Sequence, residues 1–294
     1  MLIAVYGRTI DELWMPKLFQ VLDYLECRGV TLVWFEPFYR FLLAHYPFRS
    51  SSSNTYTIQS GLPDGCDLLL NLGGDGTFLE SLVFIKERSI PVAGINFGRL
   101  GFLAGVGSDA DESCLERLIT GDYRIEKRLV IEAYSPLLPC SFFPYALNEC
   151  AIQRKNPGMI SIKVQLQAGA LPDFWADGLI VASPTGSTAY ALSVGGPIVF
   201  PSAGVLTIAP IAPHNLNMRP IIIPDSEELS VVAQGRAEEV LLTLDNRSFS
   251  IPCGSEIHIR KAPFSLHYIS LQGLHFISAL HQKLLWGFDK RNSA

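Results

Sequence analysis

The chain has 294 residues and a mass of 32.4 kDa, more than one ordinary small domain holds, so two joined domains are expected. Charged residues make up 17% of it, against about a quarter in a typical soluble domain; hydrophobic residues make up 48% with mean hydropathy +0.25, which excludes a disordered or acidic-tail protein. A net charge of −5 and a pI near 5.7 supply no positive field for nucleic acid or anionic lipid, so neither is expected as a partner.

The first hundred residues alternate short apolar runs with helix-period segments, the pattern of βαβ units on a parallel sheet. Leu2 to Tyr6 reads as a strand. Trp14, Leu18, Val21, Leu22 and Leu25 share one helical face, Gly29 ends that helix, and Thr31 to Phe35 forms the next strand. Ser50 to Ser53 with Asn54 reads as a mobile surface loop. Asp67 to Leu72 is a third strand running into Gly73-Gly74-Asp75-Gly76-Thr77, then comes a helix from about Thr77 to Arg88 and a strand from Pro91 to Asn96. The glycine loop thus sits at a strand's carboxyl end, where open α/β sheets bind ligands.

Beyond about residue 125 the texture becomes β-type, with runs at Leu129 to Tyr134, Ala146 to Gln153, Ile160 to Gln167, Leu179 to Ala182, Leu229 to Ala233, Val240 to Leu244, Glu256 to Ile259 and Ser265 to Leu271. A mostly antiparallel domain follows. The 41 residues from Gly178 to Met218 hold no Asp, Glu, Lys or Arg, yet five prolines and five glycines interrupt them, so they read as buried strands and loops and not as a membrane span. Phe276, Leu280, Leu284 and Leu285 return to helical spacing, and a lone terminal helix needs a surface to cover; docking onto the first domain is expected. The expected boundaries are 1–122 for the α/β domain, 123–272 for the β-rich domain and 273–294 for the returning helix.

The N-terminus lacks a basic n-region and meets Arg8 and Asp11 too early for a secretory signal. The six cysteines, at 27, 66, 114, 140, 150 and 253, form no CxxC pair and no zinc spacing, so buried free thiols in a reducing cytoplasm are expected.

Three glycines around Asp75 let the backbone approach a ligand closely, and the following helix N-terminus offers N–H groups to a phosphate. A tight turn whose Asp caps that helix satisfies the same spacing. Neither GxxxxGK[ST] nor GxGxxG occurs, so nucleotide chemistry would need another device.

With Asn96, Gly98 and Gly101-Phe102-Leu103, then Asn148-Glu149, Asp177-Gly178, Pro184 to Tyr190 (PTGSTAY), Gly195-Gly196-Pro197 and Pro210 to Pro220, the glycine loop falls in an order that resembles the bacterial NAD kinases, over about residues 70 to 250. PTGSTAY after Asp-Gly is the specific part; GGDG loops also occur in lipid and sphingoid kinases and phosphofructokinases. The resemblance implies a Rossmann-like α/β domain followed by a β-rich NAD-binding domain, and transfer of the terminal phosphoryl group of ATP to the 2′-hydroxyl of the adenosine ribose of NAD, giving NADP.

It further implies Asp75 as the catalytic proton acceptor, with Gly73, Gly74, Gly76 and Thr77 around the phosphates and Phe102 on the adenine side. Asn148 and Glu149 would take the ribose or adenine, and Asp177 the nicotinamide end. Thr188, Ala189, Tyr190 and Ser193 would open a short helix that contacts NAD, the tyrosine often serving a neighbouring subunit's site. Local readings stand beside these: Asn148-Glu149 as a polar strand end, Asp177 as an isolated turn carboxylate, Tyr190 and Phe102 as core aromatics, and His214 as a structural, hydrogen-bonded histidine. Mg²⁺, or another divalent cation, would be held mainly by ATP phosphates, with no all-protein metal site. A homo-oligomer, dimer or tetramer, with shared sites is implied.

The chain departs from the family at Asp245-Asn246-Arg247, where Asp-Gly-Gln is common, so no cofactor contact is assigned to Arg247; Trp175 stands where many members have a basic or small residue. Rival readings are a catalytically inactive NAD(P)-binding regulator and a lipid or sphingoid kinase of the same superfamily.

Overall fold

The computed structural model describes residues 1–86, 88–98, 101–104, 111–271 and 276–284. Two compact units divide the chain: Met1–Glu126 with the chain from His267 onward, and Lys127–Leu266.

The first unit opens with β1 (Leu2–Gly7), α1 (Met15–Cys27), β2 (Thr31–Phe35), α2 (Glu36–His45) and β3 (Thr55–Tyr56), and continues with β4 (Leu68–Leu72), α3 (Asp75–Ile85), β5 (Val92–Ile95) and α4 (Glu112–Thr120). Its strands are parallel in the order β3-β2-β1-β4-β5, with Ala4 between Val33 and Leu69. Strands covered on both faces need no polar side, and all five residues of β4 are buried. The chain moves outward from β1 through β2 to β3, then returns to β4 on the other side of β1. That reversal puts the carboxyl end of β4, and the glycine loop after it, at the sheet's switch point.

Helix α1 buries Leu18, Val21, Leu22 and Leu25 as their spacing demands, while Trp14 lies half-buried in the turn before it. Helices α2 and α4 were not expected. α2 follows β2 directly with Pro37 in its first turn, and α4 is capped by Asp111, whose Oδ1 accepts the Cys114 N–H at 2.9 Å, and closed at Gly121. The serine segment is no free loop: Ser50 Oγ and the Ser51 N–H donate to Glu26 Oε1, and Trp34 Nε1 donates to the Ser52 carbonyl at 3.1 Å. Nor are the thiols uniformly buried. Cys150 is buried in a strand, whereas Cys27, at the end of α1, and Cys140 are exposed; all six are free.

The second unit comprises β6 (Arg124–Tyr134, whose first residues belong to the first unit), β7 (Tyr145–Ala146), β8 (Glu149–Arg154), β9 (Ile160–Leu166), β10 (Gly169–Ala170), β11 (Phe174–Ala176) and β12 (Gly178–Ala182). After α5 (Tyr190–Ser193) come β13 (Val205–Ile211), β14 (Ile221–Pro224), β15 (Leu229–Gly235), β16 (Glu239–Leu244), β17 (Arg247–Pro252) and β18 (Glu256–Ser270). One antiparallel sheet runs β10-β9-β15-β18, with β11 on β9 and β6 bridging β18 and β7. The other runs β14-β13-β12-β8-β16-β17. Alternate residues of both, among them Ile152, Ile162, Leu179, Val231, Leu242 and Ile257, share one core.

The uncharged stretch has a structural cause. The other face of β12 is also covered, with Ile180 and Ala182 packed among Ala151, Ala191 of α5 and Ala209. A charge on either face of β12 would be buried. Among the described residues no helix is long and apolar enough to cross a membrane.

Strand β18 begins in the second unit and ends in the first, where Tyr268 pairs in parallel with Val92 of β5. α6 (Phe276–Leu284) belongs to the first unit and buries Leu280, the expected return; Leu284 is exposed, and Leu285 lies outside the described residues.

Candidate active site

The glycine loop follows β4 because a buried apolar strand ends there and Gly74 adopts the extended conformation of an N-cap. α3 therefore starts at Asp75, two residues before its expected start. Asp75 does not cap its own helix. Its carboxylate reaches out to three successive backbone N–H groups: Phe102 donates to Oδ2 at 2.6 Å, and Leu103 and Ala104 donate to Oδ1 at 2.9 and 3.2 Å. Space for this comes from Gly101, where a Cβ would lie 1.7 Å from Asp75 Oδ1. Asp75, Gly73, Gly74, Gly76, Thr77 and Phe102 are thus gathered at the head of one helix, whose first-turn N–H groups have no intrahelical acceptor by construction.

Phe102 is half-buried and not a core aromatic. Its ring carries the Lys283 ammonium of α6, Nζ lying 4.0 Å from the ring centre.

A second constellation lies in the second unit. β16 and β17 join through Asp245-Asn246, with Leu244 opposite Arg247 and Asp245 in the left-handed region at φ 52°. That turn aims the Asp245 carboxylate at the chain entering β8: Leu147 donates to Oδ2 at 2.8 Å, and Asn148 and Glu149 donate to Oδ1 at 2.8 and 3.2 Å. Asn148 and Glu149 are buried, and Glu149 Oε2 has no hydrogen-bond partner among the described residues. Burial, reinforced by the nearby Asp245 charge, pushes the Glu149 carboxyl up to about 8, with the Tyr190 backbone N–H pulling weakly the other way. Asp245 is itself raised by burial, against the pull of its N–H partners and Arg247.

The PTGSTAY segment is fastened to this same strand end. Ser183 donates its N–H to the Asn148 carbonyl at 2.8 Å and its hydroxyl to the Leu147 carbonyl at 2.5 Å. Gly186 is required here, because a Cβ would lie 2.1 Å from the Asn148 oxygen. The segment turns through a 3₁₀ helix, Thr185–Thr188, and Ala189 into α5, bringing the Tyr190 backbone N–H to Glu149. Tyr190 is 36% exposed and no core residue; Gln153 Nε2 donates to its hydroxyl at 2.8 Å, and Ser193 is exposed.

Asp177 is not isolated. Arg154 grips it with Nε at 2.8 Å and Nη2 at 3.0 Å, a fork across β8 and the start of β12. His214 is exposed, tied by its backbone N–H to the Trp175 carbonyl. Arg247 is spent within its own unit, donating to the Tyr145 carbonyl and lying over Phe143. Sequence reasoning missed Lys283, Arg154 and the gripping role of Asp245, whose partners lie 96 to 98 residues away. Among the described residues no group of three His, Cys, Asp or Glu side chains is arranged to hold a metal ion.

Residues 19–123 match the family of ATP-NAD kinase N-terminal domains, and residues 147–271 the family of ATP-NAD kinase C-terminal domains. The chain belongs to the NAD kinase family. An NAD kinase from Christiangramia forsetii is 38% identical, covering 99% of this chain and all of the relative. One from Porphyromonas gingivalis is 41% identical over 97% of this chain and 98% of its own. The fold matches the crystal structure of a yeast NADH kinase complexed with NADH, with a TM-score of 0.86 at 22% identity over all of this chain and 90% of the other. It also matches an NAD kinase from Archaeoglobus fulgidus in complex with ATP, with a TM-score of 0.76 at 25% identity over 97% of this chain and 99% of the other. The NAD kinase matches cover the glycine loop in the first unit and the Asn148-Glu149 and PTGSTAY segments in the second.

Proposed function

We propose that the chain transfers the terminal phosphoryl group of ATP to the 2′-hydroxyl of the adenosine ribose of NAD, releasing ADP and NADP. The observation that carries this reading is the match to both NAD kinase domain families, in a chain that keeps Asp75 at the head of α3.

Phosphoryl transfer through a loose transition state needs positioning, charge neutralisation and a late proton acceptor. A carboxylate has four lone-pair positions, and the three N–H groups on Asp75 use two on Oδ1 and one on Oδ2. The remaining Oδ2 position is the one assigned to the ribose hydroxyl and its proton. Backbone N–H groups from Gly74 to Thr77 suit phosphate oxygens, while that of Gly73 donates to the Ile95 carbonyl at 3.0 Å and holds the loop to β5. With its carboxyl up at about 8, Glu149 is largely protonated at neutral pH and offers NAD both an O–H donor and an acceptor, beside the Asn148 amide. Asp177, held by Arg154, is assigned to the nicotinamide end; Thr188, Ala189, Tyr190 and Ser193 line the dinucleotide, and Phe102 the adenine. Backbone amides suit anions, and one carboxylate already holding three N–H groups offers too few oxygens for a bare cation, so Mg²⁺ belongs on the ATP phosphates, where it would supply charge neutralisation. The free thiols suit a reducing cytoplasm, and a homo-oligomer in which Tyr190 serves a neighbouring subunit completes the proposal.

The purified chain, given NAD, ATP and Mg²⁺, is expected to form NADP and ADP in equal amounts. Bound NAD with no turnover would favour an inactive regulator, and phosphorylation of a sphingoid or diacylglycerol alcohol instead would favour a lipid kinase.

A further inference from the structure

We propose that Lys283 is a further catalytic residue, whose ammonium, seated over Phe102 beside Asp75, binds the oxygens of the phosphoryl group in transfer. The inference rests on the phosphoryl-transfer reading above. Lys283 Nζ is buried, lies 4.0 Å from the centre of the Phe102 ring, and has no hydrogen-bond acceptor among the described residues. An ammonium carries three donors, and burying them unused is costly, whereas a ring face offers only partial compensation. Burial draws the Lys283 amine down to about 8 while the Asp75 charge pulls it back up, so most of it is cationic at neutral pH.

The chemistry of Asp75 creates the need. A carboxylate that is to accept a hydroxyl proton repels the triphosphate that must approach it. Three N–H groups offset part of that repulsion, and a full positive charge at the same place offsets more. The ammonium does not bond to Asp75, whose remaining acceptor position is left to the hydroxyl. In the step, the ribose oxygen forms its bond to the γ-phosphorus while the bond from that phosphorus to the β,γ-bridging oxygen breaks. The electron pair leaves with ADP and the hydroxyl proton passes to Asp75. Lys283 keeps its proton throughout.

Lys283→Met retains the apolar stem against Phe102 and removes the charge. With NAD, ATP and Mg²⁺ its kcat is expected to fall about 10²-fold, the worth of one transition-state donor, with KM for NAD changed by less than about twofold and an unaltered melting temperature. Lys283→Arg should recover much of the loss. Affinity for inorganic triphosphate, measured by calorimetry without NAD, should fall about tenfold in Lys283→Met, in keeping with the loss of a charged hydrogen bond. Wild-type kcat and triphosphate affinity in Lys283→Met would overturn the inference, as would equal losses of activity and melting temperature in both variants. If the wild type binds triphosphate through Lys283 yet never phosphorylates NAD, the NAD reading falls and the anion-binding role of Lys283 stands.

Discussion

Asp75 and Asp245 solve the same local problem in different units, each carboxylate holding three successive backbone N–H groups. An asparagine offers one acceptor oxygen where the carboxylate offers two. Asp75→Asn should therefore lower kcat by about 10²-fold or more through loss of the proton acceptor, and cost about 1–3 kcal/mol of stability by leaving an N–H group unmatched. NAD should still bind; near wild-type turnover would remove Asp75 from the chemistry. Glu149 makes a pH prediction. Its carboxyl lies at about 8 when folded and 4.5 ordinarily, so between those values the unfolded chain releases a proton that the folded chain keeps. Its contribution to stability is full below pH 4.5 and is lost as pH rises toward 8. Glu149→Gln should match wild type in unfolding free energy, measured by urea titration, near pH 4.5 and exceed it above pH 8 by up to about 5 kcal/mol, at about 1.4 kcal/mol per pKa unit; parallel pH curves would show that Glu149 titrates normally.

At the scale of elements, Gly101 allows the grip on Asp75. Gly101→Ala would place a methyl group 1.7 Å from Oδ1, so the segment must swing away. Turnover should drop by about 10²-fold, as for loss of the positioned base, with the circular dichroism unchanged; an active Gly101→Ala enzyme would mean that the grip is dispensable. What the sequence revealed follows the same logic of locality. Strands β1, β2, β4 and β5 and helix α1 announced themselves because their apolar periodicity is local, and the motifs marked Asp75, Asn148 and Glu149. β13 hid inside the uncharged run, since a strand buried on both faces shows no alternation. β18 was read as two strands because Pro263 interrupts it; in the structure Pro263 is exposed and the strand passes through. α4 buries only Leu115 and Leu118, too weak a stripe to notice, although Asp111 and Gly121 were legible as caps. Lys283 and Asp245 could not be read, because their meaning depends on partners far along the chain.

At the scale of the whole molecule, the proposal of shared sites has a direct test. Tyr190 is exposed, with only Gln153 on its hydroxyl among the described hydrogen bonds, as suits a residue available to a neighbour. Asp75→Asn and Tyr190→Ala subunits, each nearly inactive alone, should regain partial activity once mixed and exchanged, because one hybrid site then holds both native residues. Confirmed exchange with no recovery would assign Tyr190 to its own chain's site.

The routing of β18 sets an order of assembly. The second unit is one uninterrupted stretch, Lys127–Leu266, while the first needs chain from both ends. Tyr268 pairs beside Val92 and packs its ring 5.9 Å from Phe78 of α3, the helix that carries Asp75, and Leu280 closes the same unit. During synthesis from the N-terminus, the half that begins first is finished last. A nascent chain halted at residue 266 holds every residue of the second unit, yet the chain that packs beside the helix of Asp75 is still unmade, so the first unit closes only after the second has been synthesised.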